Sequence, residues 1–138
     1  MSEPFPITIY HNPDCGTSRN ALAMIEAAGY RPETIEYLKT GWTRSLLQSL
    51  LSAMDLRPRA VLREKGTPAS ALGLLDPEIS DDQIIDAMIA HPILVNRPIV
   101  VTPRGTRLCR PSEAVLDLLD KRPTSFIKDD GEVVRISP

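Results

Sequence analysis

The sequence predicts an α/β protein: one mixed four-stranded sheet with a helical block inserted in the middle of the chain. Three observations lead there. The N-terminal part alternates strand, helix and strand patterns. The central part carries apolar residues at helical spacing and a capping box. The last third begins with a two-armed β-branched run around a Pro-Arg-Gly turn, followed by an apolar helical face. At 138 residues the chain is long enough for a single domain with a real core, with a helical insertion over about 43–91 and a polar tail over about 120–138.

The elements follow in order. Ile7-Thr8-Ile9-Tyr10 reads as a short buried strand. A helix from about Arg19 to Ala28 places Leu22, Ile25 and Ala28 on one face, and Gly29 suits its C-terminus. Thr34-Ile35-Glu36-Tyr37-Leu38 is a second strand, so the opening is a βαβ unit with parallel strands and a right-handed crossover. Thr43 caps a helix whose Leu47, Leu50, Leu51 and Met54 share a face. Pro58 opens a short turn through Arg63, and a loop with Gly66, Pro68, Gly73 and Pro77 follows. Ser80-Asp81-Asp82-Gln83 resembles a capping box, with Ile84, Ile85, Met88 and Ile89 behind it, and that helix stops near His91-Pro92. Pro98 to Thr102 and Thr106 to Cys109 form a hairpin around Pro103-Arg104-Gly105. Pro111 suits the first turn of a helix carrying Val115, Leu118 and Leu119. In the tail, Asp130-Gly131 and Val133-Val134 read as part of a small ribbon.

Composition narrows the function. A formal net charge of -2 gives no electrostatic case for nucleic acid or an anionic membrane, and no apolar stretch approaches a membrane span. Residues 1–6 carry neither a basic n-region nor an apolar h-region, so no secretory leader is expected. Two cysteines far apart, without a metal-type pairing, fit a reducing cytoplasm. Twelve of the 16 basic residues are Arg, whose planar fork matches oxyanions, although genomic base composition alone produces such a bias.

The chemistry concentrates at Cys15. It sits between a strand and a helix, where free helix N–H groups and the helix dipole favour a thiolate and draw in anions. A free cysteine is more often buried and inert, but the turn position beside Gly16 favours the reactive reading. A dithiol motif would place a second cysteine at position 18, where this chain has Ser18, so any resolving thiol comes from another molecule or from the distant Cys109. A phosphatase-type loop needs Cys and Arg six apart. Here Arg19 follows at four, so the loop is too short to cradle a tetrahedral anion alone. Further cations must come from elsewhere. Arg63 ends the Pro58 turn, and Arg97 and Arg110 each precede a proline at opposite ends of the hairpin, which antiparallel pairing brings to one end of the sheet. Spacing alone does not join them to Cys15, and a solvated surface charge is the ordinary state of any one of them. His11 either carries a proton near the turn or is a hydrogen-bonded structural histidine. His91 fits a helix end and Cys109 an apolar core.

Tyr10-His11-Asn12-Pro13-Asp14-Cys15-Gly16-Thr17-Ser18-Arg19-Asn20 closely resembles the active-site segment of the glutaredoxin-coupled arsenate reductases. The run from His91 to Pro103 looks like their second signature, Gly105 to Glu113 extends it, and Arg59 to Arg63 is similar to a third block. The resemblance covers the chain from Ile7 to about Leu119. It implies a thioredoxin/glutaredoxin-like fold with a helical insertion. It implies that Cys15 attacks arsenate, that Arg63, Arg97 and Arg110 hold the oxyanion, and that His11, Ser18 and Arg19 surround the thiol. It also implies a cis Arg97–Pro98 bond, glutathione as co-substrate with no bound cofactor or metal, and glutaredoxin as partner in the cytoplasm. Asp14 departs from the pattern, where a small neutral residue is more familiar, and an acid aimed at the sulfur would oppose the thiolate. A thiol reductase acting on a glutathionylated protein would keep Cys15 without needing the three arginines together. A polymerase-binding regulator of the same fold would carry Cys-x-x-Cys, where this chain has Cys-Gly-Thr-Ser.

Overall fold

The computed structural model describes residues 5–128 and 130–136. Part of the N-terminal segment read for a leader, and three positions of the tail, lie outside those residues. The chain divides into two compact units: residues 1–36 with 97–138, and residues 37–96.

The first unit holds the sheet. Strand β1 (Thr8–His11) pairs in parallel with β2 (Glu33–Glu36) and antiparallel with β3 (Ile99–Thr102), which pairs antiparallel with β4 (Gly105–Leu108). The order is therefore β2-β1-β3-β4, the mixed α/β sheet expected of a thioredoxin-like chain. Helix α1 (Gly16–Ala27) joins β1 to β2, with Gly29 at φ 99° just beyond its end, a backbone state that costs a side chain and suits glycine. Strand residues of period two put Ile7, Ile9 and Val100 on one face. There they form a core with Ala21, Met24 and Ile25 of α1 and with Val115, Leu116, Leu118 and Leu119.

Those last residues wind as a 3-10 helix, Ser112–Leu118, rather than the α-helix that Pro111 and the apolar spacing predict. Its hydrogen bonds run from Ala114 N–H to Pro111 O and from Leu119 N–H to Leu116 O. With three residues per turn, 115 stacks over 118 and 116 over 119, which buries two rows at once. Pro111 lies just before the helix, not inside its first turn, and both Arg97–Pro98 and Arg110–Pro111 are cis. The tail forms a ribbon, β5 (Ser125–Ile127) antiparallel to β6 (Val133–Arg135), and Phe126 and Ile136 pack against the core.

The second unit is helical. β2 ends at Glu36, and Tyr37 to Leu38, read as strand, instead open the short helix α2 (Tyr37–Thr40), because the buried Tyr37 ring stacks on Trp42 at 5.0 Å. Helix α3 (Arg44–Met54) is capped by Thr43, whose hydroxyl accepts the Leu46 N–H. Helix α4 (Asp81–Ala90) has the full Ser80–Gln83 capping box. Leu47, Leu50, Leu51, Ile84, Ile85 and Met88 are buried, while Met54 and Ile89 are only partly so. Among the described residues no helix is long and apolar enough to cross a membrane.

Candidate active site

The turn after β1 is built by Asn12. Its carbonyl accepts the Cys15 N–H at 3.0 Å, and its Oδ1 accepts the Asp14 N–H at 2.9 Å. The side chain thus imitates one arm of a backbone turn, which fixes Pro13 and Asp14 as an exposed tip. Its own N–H donates to Ser18 Oγ at 3.1 Å. Arg19 closes the other side, donating from Nη1 to the Pro13 carbonyl at 2.8 Å. Sequence reasoning passed over Asn12. The signal was the Asn-Pro dipeptide, a turn initiator.

Helix α1 begins at Gly16, about one turn earlier than the apolar spacing predicts, since Gly16, Thr17 and Ser18 carry no apolar stripe. The first intrahelical bond is Arg19 N–H to Cys15 O at 2.9 Å. Cys15 is therefore the N-cap residue itself, extended at φ -101° and ψ 120°, with Ser18 at the third helical position.

The register of the sheet explains how the arginines reach this turn. Tyr10 pairs with Ile99, and Ile99 with Leu108. Two residues beyond each lie Asn12, Arg97 and Arg110, all at the same end of the sheet. The spacing of the hairpin had placed Arg97 and Arg110 together, and the antiparallel β1–β3 pairing adds the thiol. Arg110 Nη1 donates to the Arg97 carbonyl at 3.0 Å and lies 3.9 Å from Cys15 Sγ. Arg97 also favours the thiolate, by hydrogen bonding and by charge.

These surroundings set the ionisation of Cys15. Burial pushes the thiol up. The Ser18 amide, Arg97 and Arg110 outweigh it, and the net result lies below the ordinary thiol value. The sulfur closes no cap hydrogen bond of ordinary geometry, so the amide acts on it as a nearby partial charge. Asp14, the acid that departs from the expected pattern, is exposed at the tip of the turn, where solvent screens its charge.

Behind the turn, His11 Nδ1 and Ser18 Oγ are 2.6 Å apart, both side chains buried. Burial pushes His11 below the usual imidazole range, against the pull of Glu36 and Glu26 and together with the push of Arg19. The neutral ring braces Ser18, which in turn holds the Asn12 amide. Ser18 is thus fully committed within the turn, besides lacking a sulfur.

Arg63 belongs to the helical unit. There its N–H donates to Leu94 O at 2.7 Å and its Nε to Lys65 O at 3.2 Å. Cys109, just past β4, is fully buried and its thiol is pushed up to about 12, chiefly by burial. His91 sits at the C-terminus of α4. Among the described residues no cluster of His, Cys, Asp and Glu could hold a metal ion.

Such a site combines a nucleophile with fixed positive charge and suits attack on an oxyanion. The ArsC family model matches residues 10–118, from the end of β1 through the closing 3-10 helix. The chain is 61% identical over 129 residues to an arsenate reductase of Synechocystis sp., covering 93% of this chain and 92% of that one. It is 55% identical to an arsenate reductase of Escherichia coli over the same shares of each. Among solved structures, the arsenate reductase from Vibrio cholerae superposes with a TM-score of 0.80 at 40% identity, covering 85% of this chain and 100% of that one.

Proposed function

The chain belongs to the ArsC family, and on that premise we propose that it reduces arsenate to arsenite at Cys15, using glutathione and glutaredoxin as the source of electrons. The observation that carries the reading is the thiol held at a helix N-terminus, with Arg97 and Arg110 lowering its pKa.

Arsenate and a thiolate are both anions and repel each other. Two guanidiniums at the sulfur, the N–H groups of the first turn of α1, and Arg63 as a third cation offset that repulsion. They also stabilise the charge that builds on oxygen as sulfur attacks. In the first step the Cys15 thiolate forms an S–As bond, and an arsenate oxygen leaves as water after protonation. Arsenic is still pentavalent. Ser18 has no thiol to continue, so glutathione attacks next, forming a second S–As bond with loss of another water. A glutaredoxin thiolate then attacks the glutathione sulfur. The electron pair of that S–As bond passes to arsenic, which becomes trivalent, and the two thiols leave as a mixed disulfide. Hydrolysis of the remaining bond frees arsenite and Cys15. Two electrons enter arsenic and one disulfide is formed, so the sequence balances.

His11 and Ser18 support the turn in this scheme, and Arg19 fixes its outer edge. The reading makes the chain a single catalytic domain that works in the cytoplasm, with no resident cofactor. The test is arsenate-dependent NADPH oxidation in the presence of glutathione, glutathione reductase and glutaredoxin. We expect turnover that needs all three and arsenate. Turnover with a glutathionylated protein and none with arsenate would replace this substrate by the other. Undiminished arsenate turnover without glutathione would overturn the coupling.

A further inference from the structure

The C-terminal ribbon has no part in the scheme above, yet one of its residues is bound to the segment that carries Arg110. Lys128 follows β5 and is 14% exposed, low for a lysine. Its Nζ lies 2.8 Å from Glu113 Oε1 and 3.4 Å from Glu132 Oε2. Ser112 Oγ donates to the same Glu113 oxygen at 2.8 Å. Glu113 is in the first turn of the 3-10 helix, three residues after Arg110.

Two carboxylates therefore converge on one lysine, and Glu113 is held toward the ribbon. Its ionisation is favoured chiefly by Lys128 and Ser112, which outweigh burial. Arg110 is correspondingly engaged by the Arg97 carbonyl and the Cys15 sulfur. An ion pair still partly open to solvent contributes little stability, so the placement of this one matters more than its strength.

We propose that Lys128 is a positioning residue for the anion site: by holding the Glu113 carboxylate on the ribbon, it keeps that charge off Arg110 and leaves the guanidinium to the thiolate and the oxyanion. The proposal rests on the catalytic reading of Cys15 and Arg110. Its readout is the thiol itself, so it stands or falls separately from arsenate turnover.

The experiment uses the full chain and measures the rate of iodoacetamide alkylation at Cys15 against pH, with the labelled site identified by mass spectrometry. The groups that set the midpoint are the Ser18 amide, Arg97 and Arg110. In Lys128→Met the midpoint should move up by about half to one pH unit, as a freed carboxylate pairs with Arg110. Adding Glu113→Gln to that variant should restore the wild-type midpoint. Lys128→Arg and Glu113→Gln alone should leave it in place. An unmoved midpoint in Lys128→Met overturns the proposal. So does a shift that persists in the double variant, because the lysine would then act only as a tether for the ribbon. Thermal melting checks the fold. If Lys128→Met loses the ribbon, Lys128→Gln, which keeps a donor and removes the charge, carries the same test.

Discussion

The turn after β1 and the end of β4 each hold a cysteine, in the same unit, against the same sheet, and both are buried: Cys15 is 8% exposed and Cys109 0%. Their thiols ionise in opposite directions. Cys15 lies below the ordinary value and Cys109 is pushed up to about 12. Burial opposes the thiolate at both, more strongly at Cys109, yet at Cys15 it is outweighed. What differs is the company. Cys15 caps a helix and has two guanidiniums, whereas Cys109 lies among Ile9, Val100 and Val115, and the S–H lies 3.7 Å from the Arg107 carbonyl. Reactivity is thus a property of the turn and its cations, not of the residue type.

The sharpest way to break this contrast is to exchange sulfur for oxygen at each position. Cys15→Ser should drop arsenate reduction to the no-enzyme rate while the fold stays intact by circular dichroism, because a hydroxyl there is a far weaker nucleophile. Cys109→Ser should keep turnover. Its cost falls on stability, about 1–3 kcal/mol for a hydroxyl in an apolar pocket, read by denaturant unfolding. Turnover retained by Cys15→Ser would remove the thiol from the mechanism.

A smaller effect separates the contributors at Cys15. Arg97→Ala should raise the thiol's alkylation midpoint by about one unit or more and weaken oxyanion binding. Arg110→Ala should do the same to a lesser degree. Arg97 acts on the sulfur by both hydrogen bonding and charge. Arg110 is exposed and 3.9 Å away, where solvent screens it. Equal midpoints in wild type and both variants would leave the Ser18 amide and the helix dipole as the whole cause.

Smaller still at the sulfur is the effect of Ser18→Ala. The substitution keeps the backbone amide that lowers the thiol, so the alkylation midpoint should stay closer to wild type than in Arg97→Ala. Stability should fall instead, by about 1–3 kcal/mol, because His11 Nδ1 and the Asn12 N–H both lose their buried partner. A midpoint shift as large as that of Arg97→Ala would mean that the hydroxyl, not the amide, carries Ser18's influence.

Much of this was legible in the residues, for physical reasons that differ by element. Apolar periodicity and caps announce α3 and α4, since Thr43 and the Ser80–Gln83 box act within one turn of sequence. The hairpin end holding Arg97 and Arg110 follows from antiparallel pairing alone. Three features were hidden because they depend on partners distant in sequence or on backbone groups. The β1–β3 register that brings the arginines to Cys15 is one. The switch from strand to helix at Tyr37, driven by stacking on Trp42, is another. The bond from Lys128 to Glu113 is the third, since a lysine in a polar tail carries no sign of its partner.

The last contrast appears in stability at alkaline pH, where the two thiols should pull in opposite directions. In the unfolded chain each loses its proton near 9.0, and folded Cys109 holds its proton until about 12. Between those values the unfolded state binds fewer protons at Cys109, so stability falls as pH rises, approaching tenfold in the folded-to-unfolded ratio per pH unit. Folded Cys15 releases its proton below the unfolded value. Stability therefore rises with pH through that lower window and is fully present above it. Cys109→Ala should flatten the alkaline decline relative to wild type, and Cys15→Ala should remove the rise that precedes it. Chemical denaturation measured across the range reads both slopes. An alkaline decline unchanged in Cys109→Ala would assign it to other groups, such as Tyr10, whose burial also raises its pKa.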